Sequence, residues 1–450
     1  MPAKSHTLDM TEGPLLRKVL VYTLPLIFSG ALQLCFTQAD MIVIGRFASS
    51  TALAAIGATS HICILMITLA FGISIGTNVI VATRFGAKDK KGMSRAIHTS
   101  LAVGIGSGIF FMLLWLLLSR PILELTKVPD EIIDLSCLYL RIFCLGMPFA
   151  LLYNIGSAIL RAIGDTKRPL YYLTIAGIVN IVLNLILVVG FNFSVAGVAI
   201  ATVTSHIIST TLVLRGIAKT HEIGRIRAKL LHIDRNTLVP LLKYGIPASF
   251  QSSMFAIANI LIQSNINSFG KHLMAGNAAS MGYEGLVDVL CTAIYQATAT
   301  IVGQNRGAKK LDRVKLSICH CFLVAISIGL MISAANFYLA PNLISIYNTD
   351  PQVIAYGSQR LRIMGTTGVI CALMDVAAGG LLGMGRPILP TIVTMLGVCL
   401  FRTLWVIFIF PLNHVPWFLY ICYPISWTLV FFVNGGFLLK TLKNPITHQA

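Results

Sequence analysis

Long apolar runs separated by short polar or Gly/Pro breaks organise this chain from its second decade of residues to its tail. A bilayer core about 30 Å thick needs roughly 20 apolar residues in a helix rising 1.5 Å per residue. Twelve runs meet that length. They predict membrane-spanning helices over 16–41, 53–83, 95–118, 134–157, 169–190, 195–216, 238–267, 275–303, 315–338, 356–382, 388–411 and 416–439. The most polar stretch, Lys219 to Asn236, falls between the sixth and seventh runs and halves the chain. The expected division is a segment 1–15, an N-lobe 16–218, a linker 219–237, a C-lobe 238–440 and a tail 441–450. No small-residue cleavage pattern follows the polar start, so the first helix is expected to be retained.

The two halves resemble each other at an offset of 221 or 222 residues. Tyr22-Thr23-Leu24-Pro25 returns as Tyr244-Gly245-Ile246-Pro247, and Arg84-Phe85-Gly86-Ala87-Lys88 as Asn305-Arg306-Gly307-Ala308-Lys309. Leu140-Arg141-Ile142 pairs with Leu361-Arg362-Ile363, and Gly164 and Pro169 with Gly385 and Pro390. Six spans per half, an even number, bring both halves into the membrane from the same side, so the repeat is parallel. The predicted fold class is an all-α polytopic protein of twelve transmembrane helices in two pseudo-symmetric six-helix bundles.

Composition agrees with lipid as the solvent. The chain is 56% hydrophobic and 11% charged, whereas soluble domains carry about 25% charged residues. The net charge of +18 does not gather into a basic face with aromatics, so no nucleic-acid partner is expected. Lys and Arg concentrate in one set of alternate loops, leaving Arg46, Arg120, Lys127 and Lys271 in the other set. The basic side is the cytoplasmic one. Both termini are therefore expected in the cytoplasm, with anionic lipid headgroups as partners. The ten cysteines lie in or beside apolar runs and read as reduced packing residues. In Cys319-His320-Cys321, neighbouring helical side chains diverge by about 100°, so no metal site is expected there. The chain has no HExxH, GxSxG or P-loop, and an enzyme is not expected.

Several segments, in order and doubled, carry a family resemblance. They are Met10–Phe47, GTNVIVATRFGAKD (76–89), YNIGSAILRAIGDTKRP (153–169), VNIVLNL (179–185), GVAIAT (197–202), IVGQNRGAKK (301–310) and GLLGMGRPILP (380–390). On these the chain resembles the multidrug and toxic compound extrusion (MATE) transporters of the bacterial MOP flippase superfamily. Leu382-Gly383 stands where the family's second-half motif has Arg-Gly, while the first half keeps Leu160-Arg161. The resemblance implies two six-helix bundles, alternating access in the inner membrane, and export of amphipathic, often cationic, compounds by antiport with Na⁺ or H⁺. No cofactor is implied, and a monomer is the default because one chain supplies both lobes. Two alternatives stay open: a flippase or exporter of lipid-linked or other metabolites, and a polytopic membrane protein without transport.

An ionisable group within a span must face protein or water, which makes each one a functional candidate. The resemblance gives Asp40, in the first helix, a part in cation or proton binding together with polar residues matched here by Asn180, Asn184 and Thr202. Asn180 and Asn184, spaced i, i+4, share a helix face and offer amide oxygens to a hard cation such as Na⁺. The same pocket would suit a protonated Asp40. In the second half, Glu284 and Asp288 lie one turn apart and repel if both are ionised. They are candidates for the substrate cleft or for a second coupling site. Asp375 falls at the repeat position of Asn154, so both residues are expected to line a cleft. Arg141, Arg360, Arg362 and Arg402 are the cations in or near spans, and His61, His206 and His320 read as packing residues. Pro25 interrupts the first helix early in its span and is a hinge candidate; Pro148 and Pro247 interrupt theirs in the same way.

Overall fold

The computed structural model describes residues 7–126, 128–220 and 233–444. The first six residues, Lys127, most of the linker, the end of the tail and the side chains of His61, Ala70, Ala256 and Ile257 lie outside the described residues.

Every predicted span is a helix. In chain order these are α1 (Leu15–Phe47), α2 (Ser50–Gly86), α3 (Lys90–Leu125), α4 (Asp130–Leu145), α5 (Met147–Ala162), α6 (Lys167–Gly190) and α7 (Ser194–Ala218). The second half supplies α8 (Arg235–Asn267), α9 (Lys271–Gly307), α10 (Leu311–Ser345), α11 (Pro351–Gly383), α12 (Ile388–Leu412) and α13 (Pro416–Lys443). Among the described residues eleven are long and apolar enough to cross a membrane, and α4 with α5 makes the twelfth span, broken by 45°. The sequence predicts that span as one run. Gly146 sits at the break and Pro148 follows it, and a proline cannot donate the backbone bond that would carry the helix through. The corresponding helix of the second half, α11, runs unbroken.

Within the hydrocarbon every backbone group needs an internal partner, which only a helix supplies along a single segment. The helix ends are finished by side chains where the sequence offers them. Ser49 accepts a hydrogen bond from Ala52 N–H at 3.1 Å, Asp89 from Gly92 N–H at 2.9 Å, and Asp350 from Gln352 N–H at 2.8 Å. These are the N-cap residues of α2, α3 and α11, and each satisfies a donor that the helix itself leaves open.

The chain forms two compact units: residues up to Asp9 with Phe28–Ser249, and Met10–Ile27 with Phe250 onward. The division in space thus cuts α1 and α8 rather than following the midpoint of the sequence, and in each helix the cut falls two residues beyond a proline, Pro25 or Pro247. In the second unit, Tyr22 donates its hydroxyl to Thr300 Oγ1 at 3.0 Å and Gln304 Oε1 accepts from Met10 N–H at 3.0 Å. In the first, Ser249 donates to the Leu69 carbonyl at 2.7 Å. Ile97, Leu140, Leu151, Ile155 and Ile159 are among the fully buried side chains of the first unit's core.

The repeat is present in the backbone. Lys88 and Lys309, 221 residues apart, hold φ of 56° and 58°, and Gly164 and Gly385 hold 89° and 88°. A left-handed conformation at a lysine is uncommon; finding it at both repeat positions marks one loop built twice. The two glycines differ in what surrounds them. A Cβ on Gly164 would lie 2.2 Å from the Leu8 carbonyl oxygen, whereas one on Gly385 would meet the flexible end of Arg306 at 2.4 Å. Gly164→Ala is expected to destabilise the protein by about 2 kcal/mol or more, combining the backbone cost with an unyielding contact. Gly385→Ala should cost less. Thermal midpoints of the two variants in detergent check the order.

In the second unit α9 and α11 pack with their backbones nearly touching. A Cβ on Gly276 would stand 2.7 Å from Gly357 N, and one on Gly379 would stand 2.6 Å from the Tyr295 carbonyl oxygen. Small residues permit this close approach in a membrane, where dispersion contacts replace the hydrophobic effect as the force between helices.

Candidate functional site

A cavity of about 320 Å³ opens inside the first unit. Its wall includes Asp40 from α1, Tyr139 from α4, Asn154 from α5, Asn180 from α6, and Thr202 and His206 from α7. Asp40 is partly buried, while Asn180 and Asn184 are 5% and 0% exposed. Asn184 Nδ2 donates to Asp40 Oδ1 at 2.5 Å and lies 3.3 Å from Asn180 Oδ1. The i, i+4 spacing on α6 therefore does bring both amides to one place, with the carboxylate of α1 against them. Immediately after Asn184 the helix widens into a π-turn over Leu185–Gly190, a backbone irregularity often found at functional positions.

The oxygens at this point are not all engaged. Asn184 Oδ1 is buried and has no hydrogen-bond partner, a state that costs about 1–3 kcal/mol in a protein interior. Asn154 spends its amide N–H on the Ala150 carbonyl at 2.9 Å, and Thr202 spends its hydroxyl proton on the Val198 carbonyl at 2.9 Å. Their oxygen lone pairs stay available to the cavity. The Asp40 carboxylate with the amides of Asn180 and Asn184 beside it, and the oxygens of Asn154 and Thr202 elsewhere on the cavity wall, are the kinds of donor a hard cation takes. No lysine or arginine lines this cavity among the described residues.

The second unit arranges its charges differently. Arg360 donates Nε to Glu284 Oε1 and a terminal nitrogen to Oε2, both at 2.7 Å, and Ser280 donates to Oε1 at 3.0 Å. Glu284 is thus held in a two-pronged ion pair, the strongest geometry available to a carboxylate and a guanidinium. Asp288, one turn on, is exposed and Asp375 is partly buried; neither has a hydrogen bond or ion pair among the described residues. Arg402, 2% exposed, donates Nε to Ser426 Oγ at 3.1 Å and lies 3.9 Å from the centre of the Tyr423 ring and 5.7 Å from that of Trp427. The repeat partners Asn154 and Asp375 lie in separate units.

The MatE family model matches residues 25–186 and again 247–407, two stretches that begin 222 and end 221 residues apart, the interval of the internal repeat. The chain belongs to the MatE family. It is a membrane transporter and not an enzyme. The chain is 29% identical over 360 residues to the probable multidrug resistance protein YpnP of Bacillus subtilis, covering 79% of each. It is 23% identical over 418 residues to the multidrug export protein MepA of Staphylococcus aureus, covering 91% of each. A multidrug resistance MATE family transporter of the MOP superfamily, solved in an outward-facing conformation, superposes with a TM-score of 0.91 over 100% of both chains at 19% identity, which shows the shared fold.

Most residues of this MatE cavity are not predicted as site residues from the sequence, and His206 and Tyr139 are two polar aromatic examples. His206, which reads as a packing residue, lines the cavity one turn after Thr202. The spacing Thr202, His206, Ser209 on one face of α7 was the available signal. Tyr139 carried none, because its place in the cavity depends on the bend between α4 and α5.

Proposed function

We propose that this MatE transporter is a multidrug exporter that moves amphipathic organic cations outward by antiport with Na⁺ or H⁺, through alternating access, with Asp40 as the coupling carboxylate. The observation that carries this reading is the first unit's cavity: one carboxylate, surrounding amide and hydroxyl oxygens, aromatic walls, and no lysine or arginine. A cavity built for a lipid-linked pyrophosphate would need the opposite charge, which argues against the flippase alternative. The names of the relatives YpnP and MepA support multidrug export.

Exchange follows from charge accounting. A single carboxylate can be neutralised by the coupling ion or by a cationic substrate, and the two compete for it. Inward movement of the ion down its gradient occupies Asp40 and lowers the site's affinity for substrate, a coupling of about 1–3 kcal/mol in typical cases. Asn180, Asn184, Asn154 and Thr202 complete the ion's shell. Asp288 and Asp375 supply negative charge to the second unit and, with Glu284 held by Arg360, form a further cleft or coupling site. The protein sits in the bacterial inner membrane as a monomer with both termini in the cytoplasm and needs no cofactor. Dye efflux from proteoliposomes under an imposed Na⁺ or H⁺ gradient tests the reading and names the ion; no dye movement under either gradient would sink it.

Pro25 is the proposed hinge. It leaves the carbonyl one turn earlier without its helical donor, so α1 bends there at low cost. Pro25→Ala, which restores that bond, is expected to slow efflux several-fold while leaving the folded yield unchanged. Efflux at the wild-type rate would remove the hinge from the mechanism.

A further inference from the structure

Between the two points where α9 and α11 nearly touch, their side chains converge on a cluster of which only Asp375 enters the reading above. The sulfur atoms of Cys291 and Cys371 and a carboxylate oxygen of Asp375 all lie within 4.8 Å of one another. Both cysteines are free thiols, 4% and 8% exposed. Cys371 and Asp375 are spaced i, i+4 on α11, so one helix face presents both to the single sulfur of α9. Asp375 has no hydrogen bond or ion pair among the described residues. A carboxylate within a membrane span calls for a counter-charge, and here two thiols lie within 4.8 Å of it.

We propose that Cys291, Cys371 and Asp375 form a binding site for a thiophilic divalent cation, Zn²⁺ or its heavier congener Cd²⁺, clamping α9 to α11. Two sulfurs and one oxygen are a donor set for these ions and a poor one for Na⁺, Mg²⁺ or Ca²⁺, which demand oxygen alone. A tetrahedral ion with Zn–S bonds of about 2.3 Å holds its ligand atoms about 3.8 Å apart. The cluster therefore needs to contract by an ångström or so, within the reach of side-chain rotation. On binding, both S–H bonds break and their protons leave to solvent while the dication takes their place, so the thiolates and the carboxylate become its ligands. The fourth position falls to a water or to Asp288, three residues before Cys291 on α9. This site lies in the second unit, apart from Asp40, and does not depend on which ion drives transport.

The test uses full-length protein purified without a polyhistidine tag, kept reduced with a phosphine and titrated with Co²⁺ as a spectroscopic stand-in. An intense near-ultraviolet thiolate-to-cobalt band, saturating at a single equivalent and erased by Zn²⁺, is expected in the wild type and in Cys319→Ser. Cys291→Ser and Cys371→Ser should each weaken binding by about 100-fold, at or beyond the upper end of what loss of a supporting residue costs a metal site, and Asp375→Asn by at least about 10-fold. No band in the wild-type protein overturns the proposal without any variant having to fold, and so does a band that survives undiminished in Cys291→Ser or Cys371→Ser. If the cysteine variants fail to fold, the Asp375→Asn titration decides, and wild-type affinity there overturns the site as drawn.

Discussion

Gradient-driven efflux is expected to fall to the passive leak when Asp40 is replaced by Asn. The substitution keeps the shape of the side chain, and the carbonyl oxygen of the new amide can still accept the hydrogen bond that Asn184 Nδ2 gives to Asp40 Oδ1 at 2.5 Å. The fold should therefore persist with an unchanged melting temperature. What disappears is the negative charge of the first unit's cavity, and with it the group for which ion and substrate are proposed to compete. A coupling of about 1–3 kcal/mol corresponds to a 5- to 150-fold change in affinity; losing it leaves dye binding insensitive to the ion. The measurement is dye efflux from proteoliposomes under matched Na⁺ or H⁺ gradients, with dye binding measured in parallel with and without the ion. Efflux unchanged by Asp40→Asn would move coupling to the second unit, where Asp288 and Asp375 lie within spans and have no ion pair among the described residues.

The second large effect is structural. Glu284 and Arg360 are 14% and 5% exposed at their side chains, and removing one member of a buried pair leaves the other uncompensated, at a cost of about 3–5 kcal/mol. Glu284→Gln is expected to lower the thermal midpoint in detergent sharply, because the stranded guanidinium stays buried over Tyr420, 5.0 Å from the ring centre. Arg360→Met should cost less, since Glu284 is nearer to water and keeps the Ser280 hydroxyl. The double variant Glu284→Gln/Arg360→Met should recover most of the loss, because a buried pair replaced whole by uncharged groups of similar size is close to neutral. A double variant as unstable as Glu284→Gln alone would mean the pair does more than satisfy itself. Efflux by the double variant then separates a structural role for Glu284 from a coupling role.

The twelve spans were legible in the sequence because lipid imposes a length and a composition on each one, and the repeat was legible because its loops demand the same residues twice. Lys88 and Lys309 show how far that goes: a matched sequence interval became a matched, unusual backbone angle. The bend at Gly146 was harder to read, since Pro148 lies within an apolar run that continues on both sides. Asp40, Asn180 and Asn184 could be named together because a family resemblance had already aligned them; spacing alone joined only the two asparagines. The contacts across α9 and α11 were out of reach. Glu284 and Arg360 lie 76 residues apart, and Cys291 and Cys371 look, one at a time, like any small apolar residue in a span. Which residues of two helices meet depends on rotation about their axes, fixed here by Gly276, Gly357 and Gly379, and no periodicity within either helix states that rotation.

The guanidinium of Arg402 over Tyr423 and Trp427 bears on where cargo can bind. An aromatic pair of this kind is a good receptor for organic cations, but here it already has a tenant on the same chain. A tethered group presents itself at an effective concentration in the millimolar range or above, and Arg402 never diffuses away. Any drug seeking those rings must outcompete an occupant it cannot dilute, so this aromatic pair is self-inhibited, and binding a cation there would first require evicting a residue of the transporter itself.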